Sequence, residues 1–152
     1  MKISPHEPYR ILLVDDNRDG LLVRRALLGE LGYIVDIAEN GARALNMLAL
    51  ANYDVVVTDQ CMPGMDGAEL IQKIRSANPD TRVIMLSGFA EGMGLTEENT
   101  GADIVLMKSS REGVHLVRAL NRLMTATLKR KPPAQQKQPP PSQRRRRPTG
   151  GK

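Results

Sequence analysis

Three acidic side chains stand at the ends of two apolar runs in the sequence. Asp15 and Asp16 follow residues 10–14, and Asp59 follows residues 54–58. Carboxylates that lie a few ångströms apart repel each other and raise each other's pKa, and a hard divalent cation relieves this conflict. Mg²⁺ prefers a few carboxylate oxygens, keeps several waters and completes its shell with a phosphate oxygen. If the two runs end at the same edge of a sheet, we expect the three carboxylates to form a Mg²⁺ site.

Two further polar side chains follow later apolar runs. Ser87 comes after residues 82–86 and would donate a hydrogen bond, and Lys108 comes after residues 103–107 and would supply a positive charge. The whole set suits a phosphoryl group carried on a carboxylate. It contains no imidazole base and no activated serine for acyl transfer, and the sequence has no glycine-rich GxxxxGK[ST] nucleotide loop.

The spacing of apolar residues predicts the elements that position these side chains. The expected strands are residues 10–15, 34–38, 54–59, 82–86 and 103–107. The expected helices are residues 17–31, 41–50, 66–76 and 111–128. Residues 88–101 carry four glycines and few apolar residues, so any helix there should be short and frayed.

The alternation of strands and helices predicts an α/β fold with a doubly wound, five-stranded parallel sheet. The strands read as continuous apolar runs, which is typical of strands covered by helices on both faces. In such sheets ligands bind at the carboxyl ends of the strands. The polar residues that follow the strands are therefore expected at one edge of the sheet.

Four motifs resemble those of response-regulator receiver domains of two-component signalling, of the stand-alone type. The motifs are LLVDDN at residues 12–17, VTDQCMPGMDG at residues 57–67, MLSG at residues 85–88 and GADIVLMK at residues 101–108. The similarity covers residues 9–128, and nothing after residue 131 resembles an output domain. It implies the flavodoxin-like strand order 2-1-3-4-5, with helices on both faces of the sheet.

The resemblance also implies a role for each residue at the strand ends. Asp59 would be the phosphoacceptor and would take a phosphoryl group from a phosphohistidine on a sensor histidine kinase or a histidine phosphotransfer protein. Ser87 and Lys108 would bind phosphoryl oxygens and act in switching. The implied Mg²⁺ ligands are Asp15 through water, Asp16, Asp59 and the backbone carbonyl of Cys61. The chain would then be no enzyme beyond self-phosphorylation and self-dephosphorylation.

Two positions near the lysine depart from the family pattern. Ser109 follows Lys108 where the family usually has a proline in a cis peptide. Without proline a cis peptide costs about 2.5–4 kcal/mol, so we expect this bond to be trans. Val105 stands where the family usually has an aromatic switch residue. Phosphorylation is therefore expected to act through residues 87–101 on the face made by the fourth helix, fifth strand and fifth helix, which would bind a downstream protein or form a homodimer.

Two further residues bear on the lifetime of the phosphorylated state. By resemblance, Cys61 and Phe89 occupy the positions that gate the attacking water. Neither side chain offers a carboxylate or an amide to orient water, and Phe89 is bulky. We therefore expect slow self-dephosphorylation.

The charge of the chain is unevenly distributed. The net charge is +5, but six of the 22 Lys and Arg residues lie in residues 132–152, which hold no acidic residue. Residues 1–131 then carry 16 basic and 17 acidic residues. We expect a flexible lead over residues 1–8, a receiver domain over residues 9–131 and a disordered Pro/Arg-rich basic tail over residues 132–152.

Other functions fit parts of the sequence. The four arginines at residues 144–147 would make weak contacts with nucleic acid or acidic partners, so a nucleic-acid-associated protein is the alternative function. A phosphatase-like hydrolase would need a second Asp two residues after its nucleophile, where Cys61 stands. The single Cys excludes an intramolecular disulfide, and no apolar run reaches the roughly 18 residues of a membrane span. A cytoplasmic protein is expected.

Overall fold

The computed structural model of the chain describes residues 8–88 and 94–130, with side chains as far as residue 125. Two compact units are distinguished, the first ending at Leu120 and the second beginning at Asn121. The predictions for residues 1–7, for Phe89 and for the basic tail at residues 132–152 lie outside the described residues. No described helix is long and apolar enough to cross a bilayer.

Strands and helices alternate along the described chain. The strands are β1 Arg10–Val14, β2 Ile34–Ala38, β3 Val55–Asp59, β4 Arg82–Ser87 and β5 Ile104–Met107. The helices are α1 Arg18–Glu30, α2 Gly41–Leu50, α3 Gly67–Ala77, α4 Glu97–Thr100 and α5 Glu112–Arg130. Helix α4 has only four residues, as the glycine-rich sequence around it predicted.

The five strands form one parallel sheet in the order β2-β1-β3-β4-β5, which confirms the predicted fold class. Two register pairs matter for the site. Val14 is opposite Thr58, so the residues that follow them lie side by side at the carboxyl edge of the central strands. Ser87 is opposite Met107, which brings Lys108 next to the end of β4.

Polar caps fix where the first three helices begin. Asn17 accepts a hydrogen bond from the backbone N–H of Gly20, Asn40 from that of Arg43, and Asp66 from that of Glu69. Each cap satisfies one of the backbone donors that a helix start leaves without an intrahelical partner. Asn17 and Asp66 were both predicted at helix starts, and both predictions are confirmed.

One face of the sheet packs against helices α2 and α3. Strand residues such as Leu12, Val56 and Met85 form a buried cluster there with Leu70 and Ile71 of α3. Successive residues of a strand point to opposite faces, so Leu13 and Val57, which are also buried, face the other layer. The central strands are therefore covered on both sides, as their continuous apolar sequence predicted.

The two outer strands depart from that prediction. Strand β2 is only partly buried, with Ile34 exposed, and β5 is partly buried and ends at the exposed Met107. These strands have a neighbour on one side only, and the helices cover them incompletely. An apolar run shows that a strand is apolar, but it does not show that the strand is central.

The start of α5 buries the face that carries Leu116 and leaves Val114 exposed. Val114 is 45% exposed, whereas Leu116 and Leu120 are fully buried. Residues two apart in a helix are separated by about 200° around its axis, so Val114 and Leu116 cannot share a face. The inward face therefore follows Leu116 and Leu120, and Val114 lies outside it.

Candidate metal and phosphoryl site

Three carboxylates meet at the carboxyl edge of the two central strands. Asp15 and Asp16 follow β1, and Asp59 is the last residue of β3. One oxygen atom from each of the three lies within 4.8 Å of the others. Asp15 and Asp59 are buried, and Asp16 is exposed. The predicted convergence is therefore present, with one of the three carboxylates open to solvent.

Lys108 provides a positive charge at this cluster. Its Nζ atom lies 3.0 Å from Oδ1 of Asp59 and 3.6 Å from Oδ2 of Asp15. Its backbone N–H donates to the carbonyl of Ser87 at 2.9 Å, which ties β5 to the end of β4. None of the described peptide bonds is cis, so the Lys108–Ser109 bond is trans, as predicted.

Ser87 ends β4 beside the pocket. It is buried, and it comes one residue after Leu86, the register partner of Asp59. The position therefore agrees with the predicted edge, next to the carboxylate and the lysine. Phe89, the other residue expected near this strand end, lies outside the described residues, and Cys61 is an exposed free cysteine.

A tight turn and the start of α3 hold the backbone at Asp59. Gln60 accepts the backbone N–H of Gly67 on its carbonyl and that of Ala68 on its side-chain oxygen, both at 2.9 Å. A Cβ atom at Gly67 would lie 2.5 Å from the carbonyl oxygen of Asp59. Only glycine allows α3 to begin this close to the strand, which gives the Asp66-Gly67 pair a structural reason.

The two buried carboxylates differ in pKa. For Asp59, burial raises the pKa, the charge of Asp15 adds to this, and Lys108 offsets only part of it. For Asp15, burial also raises the pKa, but the backbone N–H of Asn17, the guanidinium of Arg24 and the charge of Lys108 together leave it lowered. The expectation that the clustered carboxylates would all have raised pKa values is right for Asp59 and wrong for Asp15.

Arg24 is the residue of the site that sequence reasoning missed. Its Nη1 atom donates to Oδ2 of Asp15 at 2.9 Å, and its Nε atom donates to Oε2 of Glu112 at 2.6 Å. The charge of its partners outweighs burial and raises the pKa of the guanidinium. Nothing local in the sequence separates Arg24 from the exposed Arg25 beside it, because its two partners lie 9 and 88 residues away.

A parallel sheet in this order, with a carboxylate cluster and a lysine at its carboxyl edge, defines a class of phosphoryl-handling signalling domains. The family model described as "Response regulator receiver domain" matches residues 11–121. The chain belongs to this receiver-domain family. Receiver domains are phosphoacceptor modules of two-component signalling rather than classical enzymes, and they partner with sensor histidine kinases.

The chain is also similar to known proteins in sequence and in structure. "Histidine kinase 5" of Arabidopsis thaliana is 40% identical over 67 residues, which are 44% of this chain and 7% of that protein. The crystal structure of the response regulator TrrA of Thermotoga maritima, in complex with Mg²⁺-BeF, is 33% identical. The TM-score is 0.67, and the match covers 76% of this chain and 98% of the TrrA chain.

A second structure shows TrrA in complex with the histidine kinase ThkA. It is also 33% identical, with a TM-score of 0.69, and the match again covers 76% of this chain and 98% of that one. The chain thus spans nearly all of the solved receiver structures and a small fraction of the curated kinase.

Proposed function

We propose that this chain is a phosphoacceptor of a two-component pathway and that Asp59 takes the phosphoryl group. The observation that carries the proposal is the position of Asp59, buried between Asp15 and the ammonium group of Lys108. A carboxylate oxygen of Asp59 would attack the phosphorus of a phosphohistidine. The new P–O bond forms as the P–N bond breaks, and the imidazole leaves with the electron pair.

The donor set of the pocket fits Mg²⁺. Asp15, Asp16 and Asp59 offer hard oxygen ligands within one small volume, and the exposed Asp16 gives access from solvent. We propose Asp16 and Asp59 as direct ligands with the backbone carbonyl of Cys61, and Asp15 as a ligand through water. When bound, Mg²⁺ would neutralise the negative charge that the carboxylates and the phosphoryl oxygens bring together.

The remaining residues orient the phosphoryl group. Lys108 would leave its ion pair with Asp59 and bind a phosphoryl oxygen, since the oxygen it now contacts becomes part of the acyl phosphate. Ser87 would donate a hydrogen bond to another phosphoryl oxygen from the end of β4. Both contacts stabilise charge that spreads over the equatorial oxygens during transfer.

Two features bear on how long the phosphorylated state lasts and where the signal leaves. We propose that Cys61 and Phe89 gate the attacking water and, lacking a group that orients it, give slow self-dephosphorylation. The face formed by α4, β5 and the start of α5 is the proposed surface for a downstream protein or a second copy. Met107 and Val114 are exposed apolar residues of β5 and α5 that such a partner would cover.

The proposal is tested with a small phosphodonor. Wild-type protein incubated with acetyl phosphate and Mg²⁺ should gain one phosphoryl group by intact mass, and chelation of Mg²⁺ should prevent the gain. Asp59→Asn keeps the shape of the side chain without the nucleophilic oxygen, and it should gain none. An Asp59→Asn variant phosphorylated at the wild-type rate would refute the assignment.

A further inference from the structure

Arg24 joins the acidic pocket to the first turn of helix α5. Its guanidinium binds Asp15 at 2.9 Å through Nη1 and Glu112 at 2.6 Å through Nε. The side chains are largely withdrawn from solvent, with exposed fractions of 11% for Arg24, 2% for Asp15 and 17% for Glu112. The contact therefore forms a continuous, mostly buried chain of charges from the pocket to α5.

The geometry holds Arg24 firmly between its two acids. A guanidinium presents its donors in a rigid planar fork, so two carboxylates at two different nitrogens fix its orientation. Removing either partner would leave a largely buried charge uncompensated, which is costly in a protein interior. Arg24 therefore stays beside Asp15 until another cation compensates the charge of Asp15.

Both oxygens of Asp15 are engaged. Oδ1 accepts the backbone N–H of Asn17 at 3.0 Å, and Oδ2 accepts Arg24 and lies 3.6 Å from Nζ of Lys108. Asp16 differs, because it is exposed and forms no hydrogen bond or ion pair within residues 8–88 and 94–130. A cation that enters the pocket meets one unpaired carboxylate, that of Asp16, and two, those of Asp15 and Asp59, that already have counter-ions.

We propose that Arg24 is an internal counter-ion that competes with Mg²⁺ for Asp15 and passes the result to helix α5 through Glu112. This inference rests on the proposed function, in which the pocket binds Mg²⁺. Four carboxylates, those of Asp15, Asp16, Asp59 and Glu112, share the cations Lys108 and Arg24. The cluster carries a net charge of −2 from these groups, which a divalent cation would balance.

Competition at Asp15 has a consequence at Glu112. With Mg²⁺ bound, Asp15 would have a second counter-ion, its bond to Arg24 would weaken, and the guanidinium would be left to Glu112. The start of α5 is close to α1 here, since a Cβ atom at Gly113 would lie 3.1 Å from Cδ2 of Leu27. A shift of Arg24 therefore acts on the first turn of α5 directly, and this route does not involve Val105 or the segment before α4.

The first test measures Mg²⁺ affinity by calorimetry on the full chain. Arg24→Gln removes the competing charge and should bind Mg²⁺ about three- to tenfold more tightly, as expected for one unit charge near a divalent ion in a solvent-screened pocket. Arg24→Lys keeps the charge and should stay within about twofold of wild type. Equal or weaker Mg²⁺ binding by Arg24→Gln would overturn the proposal, because an Arg24 with a purely structural role predicts no gain in affinity.

The second test uses Glu112, which does not touch the metal. Glu112→Gln leaves Arg24 wholly to Asp15 and should weaken Mg²⁺ binding, by about twofold or more. By linkage, Mg²⁺ should change amide exchange in the first turn of α5 in the wild type and not in Arg24→Gln. Unchanged Mg²⁺ affinity in Glu112→Gln would overturn the proposed link from Asp15 through Arg24 to Glu112. A wild type that binds no Mg²⁺ would overturn the proposed metal site and this inference together, whereas normal wild-type binding with unresponsive variants would overturn the inference alone.

Discussion

At the scale of single residues, Asp15 and Asp59 are neighbouring buried carboxylates in contact with different charges. Asp15 accepts hydrogen bonds from Asn17 and Arg24, and its pKa is lowered even though burial acts to raise it. Asp59 has one ion pair with Lys108, and burial and the nearby charge of Asp15 raise its pKa. The ionised form is therefore favoured by folding at Asp15 and disfavoured at Asp59.

These opposite pKa shifts predict opposite effects on the free energy of unfolding without Mg²⁺. The stabilising contribution of Asp15 is present above its unfolded pKa and is lost as the pH falls through its lower folded pKa. The destabilising contribution of Asp59 appears as the pH rises through the unfolded pKa towards the raised folded value. At neutral pH, Asp59→Asn should raise the free energy of unfolding and Asp15→Asn should lower it.

Urea unfolding over a series of pH values checks this prediction. The Asp59→Asn variant and the wild type should converge in acid, where Asp59 is protonated in both the folded and the unfolded chain. A loss of stability in Asp59→Asn at neutral pH would show that the ion pair with Lys108 outweighs burial.

The two aspartates after β1 should also differ in their effect on the metal. Asp16 is exposed and without a partner in the described part of the chain, whereas Asp15 already has counter-ions. Asp16→Ala should therefore weaken Mg²⁺ binding and slow phosphorylation more than Asp15→Ala. Calorimetric titration of both variants measures the difference, and wild-type affinity in Asp16→Ala would contradict it.

Sequence reasoning located the carboxylates and the lysine because each follows an apolar strand directly. Position after a strand is a local property, and parallel strands end at a common edge. It could not locate Arg24, because the partner Glu112 lies in another helix 88 residues away. Burial raises the pKa of Asp15, but the backbone N–H of Asn17, the guanidinium of Arg24 and the charge of Lys108 together lower it, and the contact with Arg24 is the part that the sequence did not reveal.

At the scale of elements, the start of α3 sets the position of Asp59. Gly67→Ala would place a Cβ atom 2.5 Å from the carbonyl oxygen of Asp59 and 2.9 Å from Cα of Gln60. Because both are backbone atoms, the strand end or the helix must move. We expect a loss of about 1–3 kcal/mol in the free energy of unfolding, with slower phosphorylation.

Gly29→Ala in helix α1 is the matched control. A Cβ atom at Gly29 would meet nothing within 4 Å, and alanine has the higher helix propensity. In this variant the free energy of unfolding should rise by up to about 1 kcal/mol, and the rate of phosphorylation should be that of the wild type. Chemical denaturation measures both variants, and equal stability of the two would contradict the close contact at Gly67.

Helix α4 is tied to the outer strand by one side chain. The Oε2 atom of Glu97 accepts the backbone N–H of Val105 at 2.8 Å. The donor belongs to Val105, the position where the family usually has its aromatic switch residue. The hydrogen bond links the short helix to the strand that Lys108 follows. We expect it to contribute to the position of α4.

Glu97→Ala should expose the backbone N–H of Val105. A hydrogen bond worth about 0.5–1.5 kcal/mol corresponds to amide exchange at Val105 that is about two- to tenfold faster. Glu98→Ala, at the neighbouring exposed position, should leave that exchange unchanged. If the amide of Val105 is equally protected in all three proteins, α4 is held by other contacts.

The elements were predicted more reliably than their exposure. Helix starts follow from cap residues such as Asn17 and Asp66, which act within three residues of their partners. The exposure of β2 and β5 depends on their place in the sheet, which their apolar sequences do not contain.

At the scale of the whole molecule, the proposed chemistry takes place at the carboxyl edge of the central strands. The family match over residues 11–121 and the strand order place the chain among receiver domains, and the carboxylate cluster lies where such a sheet binds its ligand. The two proposed routes for the signal run through α4 and β5 and through Arg24 and Glu112. Both would begin at the carboxylate cluster, so both depend on which residue accepts the phosphoryl group.

Chemical mapping of the phosphorylated residue tests that identity most directly. Phosphorylated wild type would be treated with sodium borohydride, which reduces an acyl phosphate to an alcohol and so converts the modified aspartate to homoserine. Peptide mass analysis should find homoserine at position 59 only, and at no position in Asp59→Asn. Homoserine at Asp15, Asp16 or Asp66, or phosphorylation that leaves no reducible acyl phosphate, would contradict the assignment of Asp59 as the phosphoacceptor.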